Sequence, residues 1–222
     1  MSGQAGQPAR ARAPRQSRGQ ARVETILDAA AAIVASEGVG AVTMHALAKR
    51  AGTSIGSLYH FFPDRDSVLA GLRERHFRAH RAIAQALLDT PAATWAALSS
   101  SEAVRRMSTP YIAYLREHAE YLPLMHGLDW ADDENGFLRL IRHMLDARLP
   151  GVDPALRADH AAMLHAIAAG AMYVGYALNP RHLDMYLREI PHALNAYLAD
   201  VETRQRPGGA HKAEQQEKEI TQ

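Results

Sequence analysis

The chain of 222 residues contains no cysteine. This absence excludes a disulfide framework, a thiolate metal site and a cysteine nucleophile, and it permits an intracellular location. The sequence also lacks a glycine-rich phosphate loop, a nucleophile elbow and a paired-carboxylate arrangement. We therefore predict no catalytic residues, no cofactor and no enzyme activity.

Long apolar runs are scarce. The N-terminal segment has no apolar stretch of the kind that a secretory signal needs, which favours a cytoplasmic location. The uncharged run 161–178 nearly reaches the length of a membrane span. It is dominated by Ala and Gly and contains His165 and two tyrosines, so we interpret it as a buried or interface helix and predict no membrane partner.

The net charge of +1 conceals a strong asymmetry along the chain. Residues 1–81 contain 12 Arg and Lys against 6 acidic residues, whereas the remainder contains 13 basic and 18 acidic residues. A basic N-terminal part favours a polyanion partner, because neutralising phosphates releases condensed counterions. On charge alone, a merely solvated basic face explains the asymmetry equally well.

The spacing of apolar residues predicts an all-α chain of about nine helices, because these residues recur at three- and four-residue intervals. Residues 1–21 are polar and arginine-rich, and residues 204–222 are also polar. We expect a disordered basic arm and a disordered tail there. Helices are predicted at about 22–36, 44–50, 54–61, 66–88, 101–118, 120–130, 133–149, 154–178 and 181–203, with interruptions at Pro110, Pro123 and Gly127. We also expect Pro191 to kink or split the last helix.

Two short helices near the N-terminus have the spacing of a helix-turn-helix motif. Thr43 is a candidate N-cap for the first, Ser54 is a candidate N-cap for the second, and Gly52 suits the turn between them. We expect Leu47, Leu58 and Phe62 to face the preceding long helix as core residues.

The segment 43–69 reads TMHALAKRAGTSIGSLYHFFPDRDSVL and closely resembles the DNA-binding motif of the TetR family of bacterial transcriptional regulators. The resemblance covers about residues 22–70. It implies a three-helix DNA-binding domain over 22–68, followed by a helical effector-binding and dimerisation domain over 69–203. Thr53 and Phe61 depart from the family pattern, which bears on base preference and not on the fold.

The resemblance also implies which side chains meet DNA. The second short helix is expected to lie in the major groove, while Thr43, Tyr59 and Arg65 hold phosphates. The predicted DNA-binding residues are Thr43, Thr53, Ser54, Ile55, Ser57, Tyr59, His60 and Arg65. The arginines of the arm either follow the DNA backbone or enter a minor groove, or else they only aid solubility.

The last two helices carry the pattern of a helix–helix interface. Apolar residues of the last helix step by four and three, and small residues form a row on the helix before it. These positions serve either the core of one chain or, as the family resemblance implies, a homodimer that reads a palindromic operator. The predicted interface residues are Ala162, Ala166, Gly170, Leu187, Ile190, Leu194 and Tyr197.

The middle of the chain holds many of the aromatic, Met and His residues, which suits a pocket for a partly aromatic small molecule. Ordinary packing is the alternative for each of them. The family resemblance implies an effector that shifts the dimer away from its operator-binding form, through the fourth helix of the family. The predicted pocket residues are Tyr111, Tyr114, His118, Tyr121, Met125, Trp130, Phe137, His165, Met172 and Tyr173.

Two rival functions remain open at this point. An architectural DNA-binding protein would differ only in lacking an effector. A metal-dependent enzyme is suggested by the 12 histidines, of which His76 and His80 lie one helical turn apart. Their spacer contains no Glu, and an exposed pair on a basic helix needs no metal, so we predict no metal site there.

Overall fold

The computed structural model describes residues 13–125 and 136–205, and these ranges contain helices and no β-strand. The all-α prediction is confirmed, with ten α-helices within these two ranges where the sequence suggested about nine for the chain. The α-helices are α1 (Ala13–Glu37), α2 (Met44–Arg50), α3 (Ile55–Phe61), α4 (Arg65–Leu88), α5 (Ala92–Ala97), α6 (Ser100–Glu117), α7 (Tyr121–Met125), α8 (Phe137–Arg148), α9 (Pro154–Leu178) and α10 (Leu183–Arg204). Short 3₁₀ turns occupy Val39–Ala41 and Pro180–His182.

The chain divides into two compact units, Met1–Arg73 and Glu74–Gln222. The division falls inside α4, so this helix contributes residues to both units. The limits expected from the sequence, 22–68 and 69–203, put the division slightly earlier in the same helix.

The first unit is built around α1. This helix buries Ile26, Ala30 and Ile33, and it packs on α2, which in turn packs on α3. The expected core residues Leu47, Leu58 and Phe62 are 0%, 0% and 8% exposed. Burial of these apolar side chains stabilises the helix-turn-helix pair, because each contributes roughly 1.5–3 kcal/mol of transfer free energy.

The start of α1 corrects one sequence-based boundary. The helix begins at Ala13, whereas the sequence placed it at about Arg22 and assigned the preceding residues to a disordered arm. Pro14 occupies the first turn, where a missing N–H breaks no helical hydrogen bond. The segment that follows it contains Ala, Arg and Gln, which are good helix formers. The rest of the predicted arm, 1–12, lies outside the described residues.

The prolines expected to interrupt helices do not do so. Pro110 lies inside α6 and Pro191 lies inside α10, and α7 continues through Pro123. Pro110 and Pro191 each remove one backbone donor from a helix interior, whereas Pro123 lies in the first turn of α7, where a missing N–H breaks no helical hydrogen bond. Because α10 is continuous through Pro191, the split expected as one outcome for the last helix is wrong. The C-terminal part of the predicted helix 120–130, including Gly127, lies outside the described residues.

The second unit packs α10 on α9 and α6, α9 on α8, and α8 on α5. Its core is centred on Trp95, Met107, Ile141 and Met144, all of which are fully buried. The short helix α5 was not predicted, because six residues are too few to show a helical period. In contrast, α9 has the predicted bounds, since Asp153 caps it and Pro154 occupies its first turn.

A buried ion pair joins the end of α8 to the last turn of α10. The Arg148 guanidinium contacts the Glu202 carboxylate at 2.6 Å, and the two side chains are 6% and 14% exposed. The same guanidinium donates to the carbonyl oxygens of Trp95 and Leu98, at 2.7 Å each. These additional acceptors compensate the desolvation that a buried arginine incurs.

By length and composition alone, α9 could cross a membrane, and 22% of its apolar window is buried. A single helix of this kind is weak evidence for a membrane span, because core and interface helices have the same composition. Here α9 packs on both α8 and α10. At Gly175 a Cβ would lie 2.6 Å from the Tyr186 ring, so only glycine permits this approach between α9 and α10.

The turn between α2 and α3 depends on Gly52, whose φ of +60° lies in the left-handed region. Replacing Gly52 by Ala should lower the free energy of unfolding by about 1 kcal/mol, because a Cβ is unfavourable in this conformation. Gly56 provides a matched control inside α3, where no atom lies within 4 Å of an added Cβ. Gly56→Ala should instead stabilise the helix by roughly 0.5–1 kcal/mol. Urea denaturation measures the free energy of unfolding of both variants. Shifts of the same sign would contradict the conformational role assigned to Gly52.

Candidate functional site

Side-chain caps fix the start of both helices of the helix-turn-helix pair. The Thr43 hydroxyl accepts from the backbone N–H of Ala46 at 3.1 Å, and the Ser54 hydroxyl accepts from that of Ser57 at 3.2 Å. Both residues have the extended backbone typical of an N-cap. The two helices therefore begin where the sequence predicted, with Thr43 and Ser54 exposed at their N-termini.

The solvent-exposed face of α3 carries an apolar side chain and aromatic side chains beside polar ones. Ile55 is 37% exposed and Tyr59 is 50% exposed, while His60 is also exposed, with its ring edge-on to Phe61. Thr53 and Ser57 are half-buried beside them. A large apolar side chain held in solvent on a seven-residue helix is typical of a contact surface.

Arg65 has partners within its own chain. Its guanidinium donates to the carbonyl oxygens of Val42 and Val39, at 2.8 and 2.9 Å, and forms a 3.1 Å ion pair with Asp66. The arginine thus ties the start of α4 to the segment that precedes α2. Sequence reasoning assigned it only to phosphate and missed this structural part of its role.

Two exposed basic residues were also left out of the sequence-based site. Lys49 and Arg50 form the last turn of α2 and are both exposed. Cations at the C-terminus of a helix are stabilised by its dipole, and here they add positive charge beside α3. Their position directly before the turn at Gly52 could have identified them as part of the site.

In the second unit, a cavity of about 110 Å³ lies among α4, α6, α8, α9 and α10. Engineered cavities of about 150 Å³ accept benzene-sized molecules, so this cavity suits a small apolar ring. Six of the ten predicted pocket residues line it, namely Tyr111, Tyr121, Phe137, His165, Met172 and Tyr173. Met125 is instead fully buried, and Trp130 lies outside the described residues.

Nine lining residues were missed by sequence reasoning. Those outside α10 are His80, Ser108, Ile112, Leu115, Ala168 and Ala169, and those of α10 are Leu187, Ile190 and Leu194. The signal of the α10 residues was present as the apolar seam of that helix, but the seam was attributed to the dimer interface.

The dimer-interface prediction needs a corresponding correction. Leu187 and Leu194 are 2% and 1% exposed, because they pack inside their own chain and face the cavity. Ile190 also lines the cavity, and the Tyr197 hydroxyl shares a 2.9 Å hydrogen bond with Nδ1 of His160. A four–three spacing shows that a helix has a packing face but does not reveal whose residues cover it.

Other predicted interface positions remain accessible on α9. Ala162 and Ala166 are exposed, and Gly170 is half-buried. Large apolar side chains accompany them along this helix, with Met163 49%, Val174 59% and Leu178 80% exposed. The surface of α9 therefore carries an apolar strip that one chain alone does not cover.

Three polar groups of the cavity, those of His80, Tyr121 and Tyr173, are neutral at neutral pH. Burial raises the pKa of Tyr173 to about 12 and that of Tyr121 further above its usual value. Burial, with a smaller contribution from His118, lowers the pKa of His80 to about 4. The Tyr121 hydroxyl lies 3.1 Å from that of Tyr173 and 3.4 Å from Nδ1 of His80. The cavity thus offers uncharged hydrogen-bonding groups among apolar walls.

His76 and His80 are buried, at 0% and 4% exposed, so the sequence-based description of an exposed pair is wrong. The reason is that this face of α4 carries both rings into contact with tyrosines of α6 and α7. His80 stacks on Tyr121 with ring centroids 4.7 Å apart, and His76 meets the same ring edge-on. Burial first, then the nearby positive charges, lowers the pKa of His76 to about 3.

The two remaining predicted pocket residues lie beside His76 and not in the wall of the cavity. The Tyr114 hydroxyl shares a 2.6 Å hydrogen bond with Nδ1 of His76, and burial raises the pKa of Tyr114 to about 12. His118 Nδ1 lies 3.1 Å from Oε1 of Glu120. A second cluster of polar groups therefore adjoins the cavity.

Comparison with known proteins places this arrangement in a family. Residues 26–72 match the family model described as bacterial regulatory proteins, tetR family. This match covers α2 and α3 completely, with about the second half of α1 and the start of α4. No curated protein matches the chain.

Solved structures share the fold over most of the chain. A TetR-family transcriptional regulator from Streptomyces coelicolor is 22% identical with a TM-score of 0.58, over 83% of this chain and 99% of its own. SmeT, the repressor of the Stenotrophomonas maltophilia multidrug efflux pump SmeDEF, is 24% identical with a TM-score of 0.57, over 82% and 90%. The complex of SmeT with triclosan is 22% identical with a TM-score of 0.54, over 81% of this chain and 91% of its own.

The helix-turn-helix geometry, the family match over it and the shared fold lead to one conclusion. Over residues 26–72 the chain carries the DNA-binding domain of the tetR family of bacterial regulatory proteins, and it is a DNA-binding transcription regulator.

Proposed function

We propose that this regulator is a cytoplasmic homodimeric repressor, released from a palindromic operator by a small, neutral, largely apolar effector. The observation that supports the effector is the cavity of the second unit, whose walls are largely apolar and in which His80, Tyr121 and Tyr173 are uncharged at neutral pH. The complex of SmeT with triclosan shows that a protein of this fold takes up a small molecule.

For the DNA contact, we propose that α3 enters the major groove. Ile55 would pack on a thymine methyl, while Thr53, Ser57 and His60 read base edges. Thr43, Ser54, Tyr59 and Arg65 would contact phosphates, which position the helix without carrying sequence information. Lys49 and Arg50 add charge to this surface.

For the partner, we propose a second copy of the chain on the exposed strip of α9. Alanines at 162 and 166 allow two helices to approach closely, and Met163 and Val174 supply apolar area beside them. Two recognition helices related by a two-fold axis would then lie about one DNA turn apart, at roughly 34–36 Å. This separation is what a palindromic operator requires.

For the response, we propose that the effector acts through α4. His80 of α4 lines the cavity, and the first turn of the same helix holds Arg65 beside the segment preceding α2. A ligand that fits one position of α4 better than another would shift the population of operator-binding dimers. The alternative without an effector, an architectural DNA-binding protein, predicts no such shift.

The phosphate role of Tyr59 can be tested on an operator selected by the wild-type protein from random-sequence duplexes. Tyr59→Phe should weaken binding about five- to tenfold, since one hydrogen bond contributes about 1 kcal/mol. The loss should be similar for selected and unselected duplexes. Fluorescence anisotropy measures it, and Tyr186→Phe in α10 is the matched control. Unchanged affinity of Tyr59→Phe would remove this residue from the interface.

The α9 dimer predicts that a charge at its centre dissociates the protein. Ala166→Glu should raise the dimer dissociation constant more than tenfold, because a carboxylate would be buried without a partner near the two-fold axis. Ala113→Glu, at an exposed alanine of α6, is the control and should leave the dimer intact. Sedimentation at micromolar concentration measures whether each variant is a dimer or a monomer. A monomeric wild type, or an intact Ala166→Glu dimer, would contradict the assignment.

The neutral cavity predicts which ligands stabilise the protein. In thermal unfolding at neutral pH, 2-phenylethanol should raise the Tm, whereas the anion phenylacetate should not. At ten times its dissociation constant, a ligand stabilises the native state by about 1.4 kcal/mol.

Ala168→Leu, which fills part of the cavity, should abolish the stabilisation while leaving operator binding in place. Ala113→Leu is the control of equal size. If neither 2-phenylethanol nor triclosan stabilises the wild type, the architectural alternative is favoured.

A further inference from the structure

A cluster of three potential metal ligands lies beside the cavity and has no part in the function proposed above. His76, His118 and Glu120 each offer one ligand atom, and these atoms all lie within 4.8 Å of one another. The residues come from different places, since His76 is on α4 while His118 and Glu120 lie between α6 and α7. We propose that they bind a divalent transition-metal ion of the zinc type.

The distances are close to those of a metal site. Oε1 of Glu120 lies 3.1 Å from Nδ1 of His118 and 3.6 Å from Nε2 of His76. Ligand atoms around a tetrahedral zinc ion, each about 2.0–2.1 Å from the metal, are about 3.3 Å from one another. Even a separation at the 4.8 Å limit needs to close by only about 1.5 Å, which side-chain rotation can supply.

His76 supplies an independent observation that points to a ligand. Its side chain is completely buried, and its Nε2 atom has no hydrogen-bond partner. Leaving a buried polar atom unsatisfied costs about 1–3 kcal/mol. The atom faces the Glu120 carboxylate across 3.6 Å, which is beyond a hydrogen bond. An ion between them would satisfy both groups.

The other nitrogen of His76 is held as a metal-binding histidine requires. Nδ1 lies 2.6 Å from the Tyr114 hydroxyl. When Nδ1 carries the proton and donates it to Tyr114, the lone pair of Nε2 is directed into the cluster. Metal-ligating histidines in general use the second ring nitrogen in this way, which fixes the tautomer and the ring orientation. Tyr114 is thus a positioning residue.

The charge of Glu120 points in the same direction. Its side chain is 8% exposed, and two imidazoles are its ion-pair partners. A buried carboxylate is strongly favoured by a bound cation. The donor set of two imidazoles and one carboxylate suits zinc, cobalt or nickel better than calcium or magnesium, which prefer all-oxygen sites.

The site has an entry path and an open coordination position. The side chain of His118 is 34% exposed, so an ion can reach the cluster from solvent. Three protein ligands leave the fourth tetrahedral position for water or for another donor. The bound ion would tie α4 to the α6–α7 connection and so favour one position of α4.

The test uses the full-length protein after dialysis against a chelator. Titration calorimetry with zinc chloride should show one ion per chain with a micromolar or tighter dissociation constant. Cobalt chloride should give the intense visible absorption of a tetrahedral ion. Glu120→Gln and His118→Ala should each weaken zinc binding at least tenfold, and Tyr114→Phe should weaken it about tenfold without abolishing it.

A matched control is the exposed pair His192 and Glu189 of α10, which lie 3.3 Å apart. His192→Ala should bind zinc like the wild type. His118 is partly exposed, so His118→Ala is the variant most certain to fold, and circular dichroism checks this. The proposal is overturned if the wild type shows neither stoichiometric zinc binding nor tetrahedral cobalt bands. It is equally overturned if His118→Ala retains wild-type affinity, since the ion then sits elsewhere among the 12 histidines.

Discussion

A single helix, α4, has to satisfy two sets of neighbours. Its first half buries Val68, Leu69 and Leu72 in the DNA-binding unit, and its second half buries His76 and His80 among tyrosines. The helix is continuous over Arg65–Leu88, and the regulatory mechanism proposed above depends on this continuity.

The sequence predicted the parts of the fold that local chemistry determines. Thr43 and Ser54 cap the helices they were expected to cap. Leu47 and Leu58 are buried as expected. Such features depend on hydrogen bonds and contacts within a few residues, so their signal lies in adjacent positions of the chain. The family match rests on the same stretch of residues.

The errors concern contacts between distant segments. The seam of α10 was visible, yet nothing in its spacing distinguishes a second copy from the cavity that Leu187 and Leu194 face. His76 and His80 looked exposed because arginines surround them in the sequence, while the tyrosines that cover them are some forty residues away. His118 and Glu120 lie beside His76 only because the segment that follows α6 packs against α4. Tertiary packing, and not local propensity, decides each of these cases.

The neutral state of His80 and Tyr173 in the cavity has a consequence for how a cell's chemistry would be sensed. A weak acid or base crosses a membrane mainly as its neutral form, and the neutral form is also the one that largely apolar walls accept. These two side chains, with pKa values near 4 and 12, do not titrate near neutrality. The response to such a compound would then follow the compound's own ionisation. The pH of the surroundings, and not a change in the protein, would set the concentration of the neutral form that binds.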